Sequence, residues 1–167
     1  LSFGSRLLAR QQLYIAGDLD KLSGPVVLDD AAGPVAFIAL PYAEPADVRQ
    51  LLGDDSIRDH QTALSRLAAF QSKGTAGLRT VCIAHVFASG GTASDSERPL
   101  SLGGTECIDT AVFAPYSYTA LGHLHGPQQA GHANIRYAGS LMKYSFSEAK
   151  QKKGAVIADL AADGTVT

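Results

Sequence analysis

The sequence predicts an α/β (α+β) fold, in which a mixed sheet or a pair of sheets carries helices on the outside. Strand-like runs alternate with helical patterns in the first half of the chain, and the second half is rich in strands alone. With 167 residues, of which 46% are hydrophobic and 18% charged, the chain has the composition of one globular domain. No apolar run approaches the roughly 20 residues needed to cross a bilayer, so we expect no membrane span.

The first elements are predicted from caps, turns and alternation. A helix is expected over residues 2–10 and a short strand over residues 13–15. Residues 24–28 and 35–40 are β-rich runs joined by an Asp- and Gly-containing turn, which predicts a hairpin. A proline in the first turn predicts a helix over residues 44–52.

A second, longer helix is predicted to reach about Lys73. The spacing of Ser56 and Asp59 is that of a capping box at its start, and His60 falls on its polar side without an assigned role. An apolar stripe is expected along it, formed by Ala63, Leu64, Leu67, Ala68 and Phe70.

Two apolar runs lie near the beginning and the end of the second half of the chain. Residues 80–86 form a nearly continuous apolar run, which predicts a strand buried on both faces. Residues 154–161 predict a further strand, which a turn at Asp163 and Gly164 leads into a second hairpin arm. Between them, residues 88–105 form a Gly- and Ser-rich connection long enough to indicate a functional loop.

Charge and cysteine content narrow the function classes. Net charge is −2, so composition gives no indication of nucleic-acid binding. The dense basic cluster of Lys150, Lys152 and Lys153 fits a solvated face, with contact to a partner or DNA as the alternative. Cys82 and Cys107 lie in apolar contexts without a C-x-x-C motif, which predicts buried thiols in a reducing cytoplasm.

The chemistry is expected at a Gly-His-Leu-His run. Residues 118–121 predict a strand that runs into Gly122, and residues i and i+2 of an extended segment point the same way. His123 and His125 therefore face one side while Leu124 packs inward. A surface turn with two solvated histidines is the alternative interpretation.

A third histidine, His85, ends the strand predicted over residues 80–86. Open α/β sheets bind ligands at the carboxyl ends of their strands, although a lone histidine there is more often a satisfied core residue. His85, His123 and His125 together indicate a metal site, because imidazole suits several transition metals. Imidazoles are neutral, so a pair of divalent ions also needs bridging oxygen ligands.

Four runs carry a family resemblance: LSFGSRLLARQQLYIAG at residues 1–17, FASGGTASDSERPLSLGGTECID at 87–109, YTALGHLHGPQ at 118–128 and IRYAGSLMKYSFSEAKQKKG at 135–154. They resemble the SbcD family, the nuclease subunits of bacterial SbcCD complexes among the calcineurin-like metallophosphoesterases. The resemblance implies a sandwich of two sheets flanked by helices, with two Mn²⁺ ions at the strand ends. It implies that His85 and His123 bind one ion and that His125 binds the other.

The resemblance also implies activity and partners. It implies an ATP-dependent 3′-to-5′ exonuclease for double-stranded DNA ends and a hairpin endonuclease, acting in DNA repair, recombination and replication. The implied partners are the SbcC ATPase and, in the full-length protein, a second copy of the chain. Small-substrate metallophosphatase and non-catalytic SbcC-binding remnant are the alternatives.

The family's first three metal motifs are not found in residues 1–167. Asp-x-His, Gly-Asp-x-x-[His/Asp] and Gly-Asn-His-Asp would precede Leu1, and the single methionine is Met142. We therefore expect residues 1–167 to be the C-terminal half of the metallophosphoesterase domain, N-terminally truncated and without the downstream capping and SbcC-binding regions. We also expect this piece alone to lack nuclease activity.

Overall fold

A computed structural model of the chain describes residues 8–19, 22, 24–95, 97 and 107–167. The helices are α1, Pro45–Leu52, and α2, His60–Gln71; the 3₁₀ turns are Thr110–Phe113 and Phe146–Glu148. The strands are β1 Val26–Asp30, β2 Gly33–Leu40, β3 Arg79–His85, β4 Phe87–Ala88, β5 Cys107–Ile108, β6 Tyr118–Gly122, β7 Gln128–Ala130 and β8 His132–Tyr137. Residues 8 and 9 are helical, and residues 2–7 of the predicted first helix lie outside the described ranges.

Among these residues one mixed sheet dominates, in the order β1-β2-β3-β6-β8-β7. The four central strands, β2, β3, β6 and β8, are parallel, and β1 and β7 add antiparallel edges. A parallel pair needs a crossover, which α1 and α2 provide between β2 and β3. Strands β4 and β5 form a small parallel sheet of their own. The predicted α/β class is confirmed, and this architecture is compatible with half of a metallophosphoesterase fold.

The first hairpin is confirmed, with β1 and β2 joined at residues 31–32. Asp30 shapes the turn, because its Oδ1 accepts a hydrogen bond of 2.7 Å from the Ala32 amide. Arg79 binds the same carboxylate with both terminal nitrogens, and its Nη2 also donates to the Gly33 carbonyl at 2.7 Å. The start of β3 is thereby tied to the hairpin turn.

Both predicted helices are present, with one cap corrected. Helix α1 begins at Pro45 and is followed by Gly53, whose φ of 61° is the left-handed cap that favours glycine. Helix α2 is capped by Asp59, not by Ser56: the Asp59 carboxylate accepts from the Thr62 amide, and the Thr62 hydroxyl oxygen accepts from the Asp59 amide. Ser56 fails as the cap because its hydroxyl donates to Asp54 at 2.6 Å instead.

His60, which the sequence places on the polar side of α2, has a side chain that is 11% exposed, stacks on Tyr42 and lies 3.8 Å from Glu44. One further expectation about α2 needs correction. Phe70 is not part of the buried stripe, because it is 37% exposed and turns toward Lys73. The remaining stripe residues are buried as predicted.

The core lies between the helices and one face of the main sheet. Its strand residues include Ala36, Ile38, Leu40, Cys82, Ala84, Leu121, Ile135 and Tyr137. The other face is more open, because Ile83 is 48% exposed although it lies on a central strand. The prediction that residues 80–86 are buried on both faces is therefore wrong: no layer of the described residues packs over Ile83.

One predicted strand and one predicted thiol environment are also wrong, and a second predicted strand is only partly formed. Residues 13–15 are irregular, and residues 154–158 form no strand. The predicted hairpin around Asp163 and Gly164 is present in short form, because Leu160 forms an antiparallel bridge with Val166, and the amide and carbonyl of Asp159 bond to Thr167. Cys107 is exposed, because successive residues of β5 face opposite sides and Ile108 takes the buried side, whereas Cys82 is buried as expected. No helix of the described residues is long and apolar enough to span a bilayer.

Candidate metal centre at the strand ends

His85 and His123 meet where two parallel strands end side by side. His85 is the last residue of β3 and pairs in register with Gly122, the last residue of β6. The rings of His85 and His123 have centroids 5.6 Å apart in an edge-to-face arrangement. Gly122 makes room for this approach, since a Cβ at that position would lie 3.0 Å from His85 Nδ1.

His123 has an unusual backbone. Its φ of 113° lies in a region that residues with side chains rarely adopt. Such strain persists only where surrounding contacts hold it, and it is concentrated at functional sites. Leu124 is 2% exposed and packs in the core as predicted, and the Phe87 ring lies 6.3 Å from the His123 ring. The extended segment on which a common orientation of His123 and His125 was predicted is not present, because β6 ends at Gly122.

His125 has surroundings of its own. Its Nδ1 lies 2.9 Å from Glu148 Oε1, and its ring centroid lies 5.6 Å from that of Tyr144. Its carbonyl accepts hydrogen bonds from the Ser140 amide at 3.1 Å and from Lys153 Nζ at 2.8 Å. The residue is therefore held by both its ring and its backbone.

The described part of the long loop is tied to the Gly-His-Leu-His turn. Glu97 Oε1 accepts from the His125 amide at 2.7 Å, while its Oε2 accepts from the Ser94 amide at 2.6 Å. Gln128 forms a two-sided clamp, accepting from the Thr92 amide at 2.7 Å and donating to the Thr92 carbonyl at 2.9 Å. The expectation of a functional loop over residues 88–105 thus gains contacts at residues 92–97; residues 96 and 98–105 lie outside the described ranges.

Buried Tyr137 fixes the chain directly after His85. Its hydroxyl donates to the Val86 carbonyl at 2.9 Å and accepts from the Ala88 amide at 2.8 Å. Burial raises the pKa of Tyr137 to about 12, so the hydroxyl remains a donor at any physiological pH. The position of the β3 end is therefore set by β8, two strands away in the sheet.

The electrostatics favour a neutral imidazole at His85. Partial desolvation lowers the pKa of His85 below its usual range, which leaves a ring-nitrogen lone pair available at neutral pH. The donor chemistry of His85 and His123 therefore fits a divalent transition metal. Across residues 8–19, 22, 24–95, 97 and 107–167, however, no group of three or more His, Cys, Asp or Glu side chains is arranged to hold an ion. The assignment of His85, His123 and His125 as metal ligands stays a prediction, and further donors are needed to complete a coordination shell.

Sequence reasoning missed the residues that support the histidines. Glu97, Gln128 and Tyr137 lie in runs that carried the resemblance, but no local pattern identifies their bonding partners. Lys153 is not part of a solvated basic face: its side chain is 9% exposed and lies 2.7 Å from the fully buried Glu148 carboxylate. Lys150 and Lys152 are exposed as expected.

A parallel sheet with histidines at adjacent strand ends is compatible with half of a metallophosphoesterase fold. No family model matches the chain. Over 161 residues, 96% of its length, the chain is 35% identical to the SbcD subunit of the nuclease SbcCD from Staphylococcus epidermidis. The chain spans 42% of the length of this curated relative. The resemblance predicted from the sequence motifs is confirmed: nearly the whole chain is homologous to part of a nuclease subunit.

Proposed function

We propose that this chain supplies the histidine ligands of a metal-dependent DNA nuclease subunit of the SbcD type. The observation that carries the proposal is the meeting of His85 and His123 at the ends of two adjacent parallel strands, with ring centroids 5.6 Å apart. The chain's similarity to a nuclease subunit gives that pair its chemical context. The composition of the chain, with a net charge of −2, does not point to a different class of function.

Each histidine has a defined part in the proposed site. His85 and His123 bind one Mn²⁺ ion, and His125 binds the second. A pair of such ions supplies a metal-activated water and Lewis-acid stabilisation of the scissile phosphodiester. The protein's own contribution is positioning: Gly122 admits the His85 ring, the strained backbone turns His123, and Glu148 with Lys153 holds His125.

The complete activity requires more metal ligands than the three histidines. Neutral imidazoles do not offset the charge of two divalent ions, so a bridging carboxylate and further ligands complete the site in the active protein. With those donors we propose ATP-dependent 3′-to-5′ exonuclease and hairpin endonuclease activity with an SbcC ATPase partner, in a homodimer that acts in cytoplasmic DNA repair, recombination and replication. Because the described residues contain no three-donor group, we expect the 167-residue chain alone to be inactive.

Metal binding is tested first, because it does not depend on activity. Mn²⁺ is paramagnetic, so a titration followed by NMR should broaden the ring resonances of His85, His123 and His125 first. His132, exposed on β8, and His60, on α2, are the internal controls. Equal broadening of all five histidines would contradict the proposed site.

Nuclease action is tested on the native protein isolated from cells and on the chain. We expect Mn²⁺-dependent degradation of double-stranded DNA by the native protein that is lost in His123→Ala and kept in His132→Ala. Retention of full activity in His123→Ala would reject the proposal. Activity that is confined to small phosphomonoesters would favour the metallophosphatase alternative.

A non-catalytic module is the second candidate, favoured by the open sheet face around Ile83. Exposed apolar faces mark interaction sites. In that case the native protein binds its ATPase partner without metal-dependent cleavage. Pull-down of an SbcC-type ATPase together with absence of any nuclease activity in the native protein would favour this candidate.

A further inference from the structure

Glu148 is a fully buried carboxylate. It ends the 3₁₀ turn Phe146–Glu148 and has a side-chain exposure of 0%. A buried charge is costly unless it is paired and hydrogen-bonded. The groups that bind Glu148 include Lys153 Nζ at 2.7 Å and the Tyr144 amide at 3.2 Å on Oε2, and His125 Nδ1 at 2.9 Å on Oε1.

The contact with Glu148 determines which nitrogen of His125 carries the proton. An ionised carboxylate only accepts hydrogen bonds, so His125 Nδ1 must donate. In the neutral ring the lone pair then belongs to Nε2. The Lys153 ammonium, 2.7 Å from Glu148 Oε2, balances the charge of the carboxylate.

Lys153 couples the ring of His125 to its backbone. The same ammonium that lies 2.7 Å from Glu148 donates to the His125 carbonyl at 2.8 Å. It also donates to Ser140 Oγ at 2.7 Å and to Gln151 Oε1 at 2.6 Å. The ring and the carbonyl of His125 are therefore both bound to one buried ion pair.

We propose that Glu148, held by Lys153, is a positioning residue that fixes His125 as the Nδ1–H tautomer and presents Nε2 as its metal-binding nitrogen. The inference rests on the proposed function, in which His125 binds an ion. Metal-ligating histidines commonly donate their other nitrogen to a carboxylate, and loss of such a partner weakens metal binding about 10- to 100-fold.

The test reads the tautomer of His125 directly, without metal. Ring ¹⁵N chemical shifts of the wild-type chain should show a protonated Nδ1 and an unprotonated Nε2 at His125. Glu148→Leu should abolish this preference and move the proton toward Nε2. Glu44→Gln is the matched control, since Glu44 is the partner of another histidine, His60, at 3.8 Å; it should leave the shifts of His125 unchanged.

Metal titration then separates this inference from the proposed function. Mn²⁺ should broaden His125 in the wild-type chain at concentrations about 10- to 100-fold lower than in Glu148→Leu. A fixed Nδ1–H tautomer without any Mn²⁺ broadening in the native protein, which carries the remaining donors, would reject the proposed function and with it the metal role of Nε2, while the positioning by Glu148 would stand.

The wild-type tautomer alone can overturn the positioning role, so the inference remains testable if Glu148→Leu fails to fold. An Nε2–H ring, or averaged tautomers, in the folded wild-type chain would refute it. Lys153→Met provides a second variant, which should reduce the Nδ1–H preference without removing the acceptor. An unchanged tautomer in a folded Glu148→Leu chain would equally refute the role.

Discussion

The two faces of the main sheet differ in how they are covered. Ile38 of β2 and Ile83 of β3 lie on neighbouring central strands, yet Ile38 is 0% exposed and Ile83 is 48% exposed. The first face packs against α1 and α2, whereas no described element packs over Ile83. His85 follows Ile83 by two residues and shares its face, so the candidate site lies on the less covered side. Apolar packing against the helices therefore stabilises the sheet, whereas hydrogen bonds position the residues of the candidate site.

Truncation of one isoleucine on each face gives the largest expected contrast. Ile38→Ala should lower the free energy of unfolding by about 3–5 kcal/mol, because it leaves a cavity in the helix-covered core. Ile83→Ala, its matched control, should cost less than about 1.5 kcal/mol, because the side chain is already half in water. Urea unfolding followed by circular dichroism measures both values. Equal losses would mean that Ile83 is covered in solution, and the comparison of the faces would fail.

Gly139 tests how tightly the chain packs against the backbone of the candidate site. Its φ is 80°, and a Cβ there would lie 2.5 Å from the His125 carbonyl oxygen. Gly139→Ala should cost about 2–4 kcal/mol, from left-handed strain plus overpacking. Gly53→Ala is the control, because Gly53 has a φ of 61° but nothing within 4 Å of a Cβ; it should cost about 1–2 kcal/mol. Equal unfolding free energies for the two variants would show that the His125 carbonyl can move away from the added methyl group at little cost.

Tyr137 links the covered face to the site. Tyr137→Phe keeps the buried ring but leaves the Val86 carbonyl and the Ala88 amide without their hydroxyl partner. The expected loss is about 1–3 kcal/mol of unfolding free energy. Amide NMR shifts at residues 85–88 should change while those of β1 stay constant. Tyr42→Phe, at an exposed hydroxyl bond, is the control and should cost less than Tyr137→Phe.

The smallest effect is expected at the opposite end of the sheet and depends on pH. The hydrogen bonds from Arg79 hold the pKa of Asp30 below its ordinary value of 3.8. A lowered folded-state pKa means that the contribution to stability is complete above about 3.8 and disappears as pH falls through the folded value. Asp30→Asn should therefore flatten the stability profile below pH 4. Identical acid profiles for the wild type and Asp30→Asn would contradict this.

Sequence patterns correctly predicted the structural features that depend on residues close together in the chain. The turn between β1 and β2, the proline start of α1 and the strand-to-turn transition at Gly122 all follow from local backbone preference. The strand predicted over residues 154–161 is confined to the short pairing around Leu160 and Val166. Its apolar composition suits a strand, but a longer partner strand is a property of the fold and not of the local sequence.

The candidate site was also only partly predictable from the sequence. The spacing of His123 and His125 and the strand-end position of His85 are visible in the sequence. The buried partner of His125, Glu148, is 23 residues away and its clamp Lys153 is 28 residues away, so no periodicity joins them. Lys153 was expected in water because it stands in a run of lysines, yet the buried carboxylate of Glu148 holds it in the interior.

These long-range bonds also bear on the order in which the chain folds. The amide of His125 bonds to Glu97, 28 residues earlier, and its ring to Glu148, 23 residues later. Contacts that close long loops form only after the entropy of closure has been offset elsewhere, here by the apolar core. We therefore expect the Gly-His-Leu-His turn to become ordered after the apolar core of the described residues and to open before it, and amide hydrogen exchange should find His125 exchanging before Cys82 of the central strand.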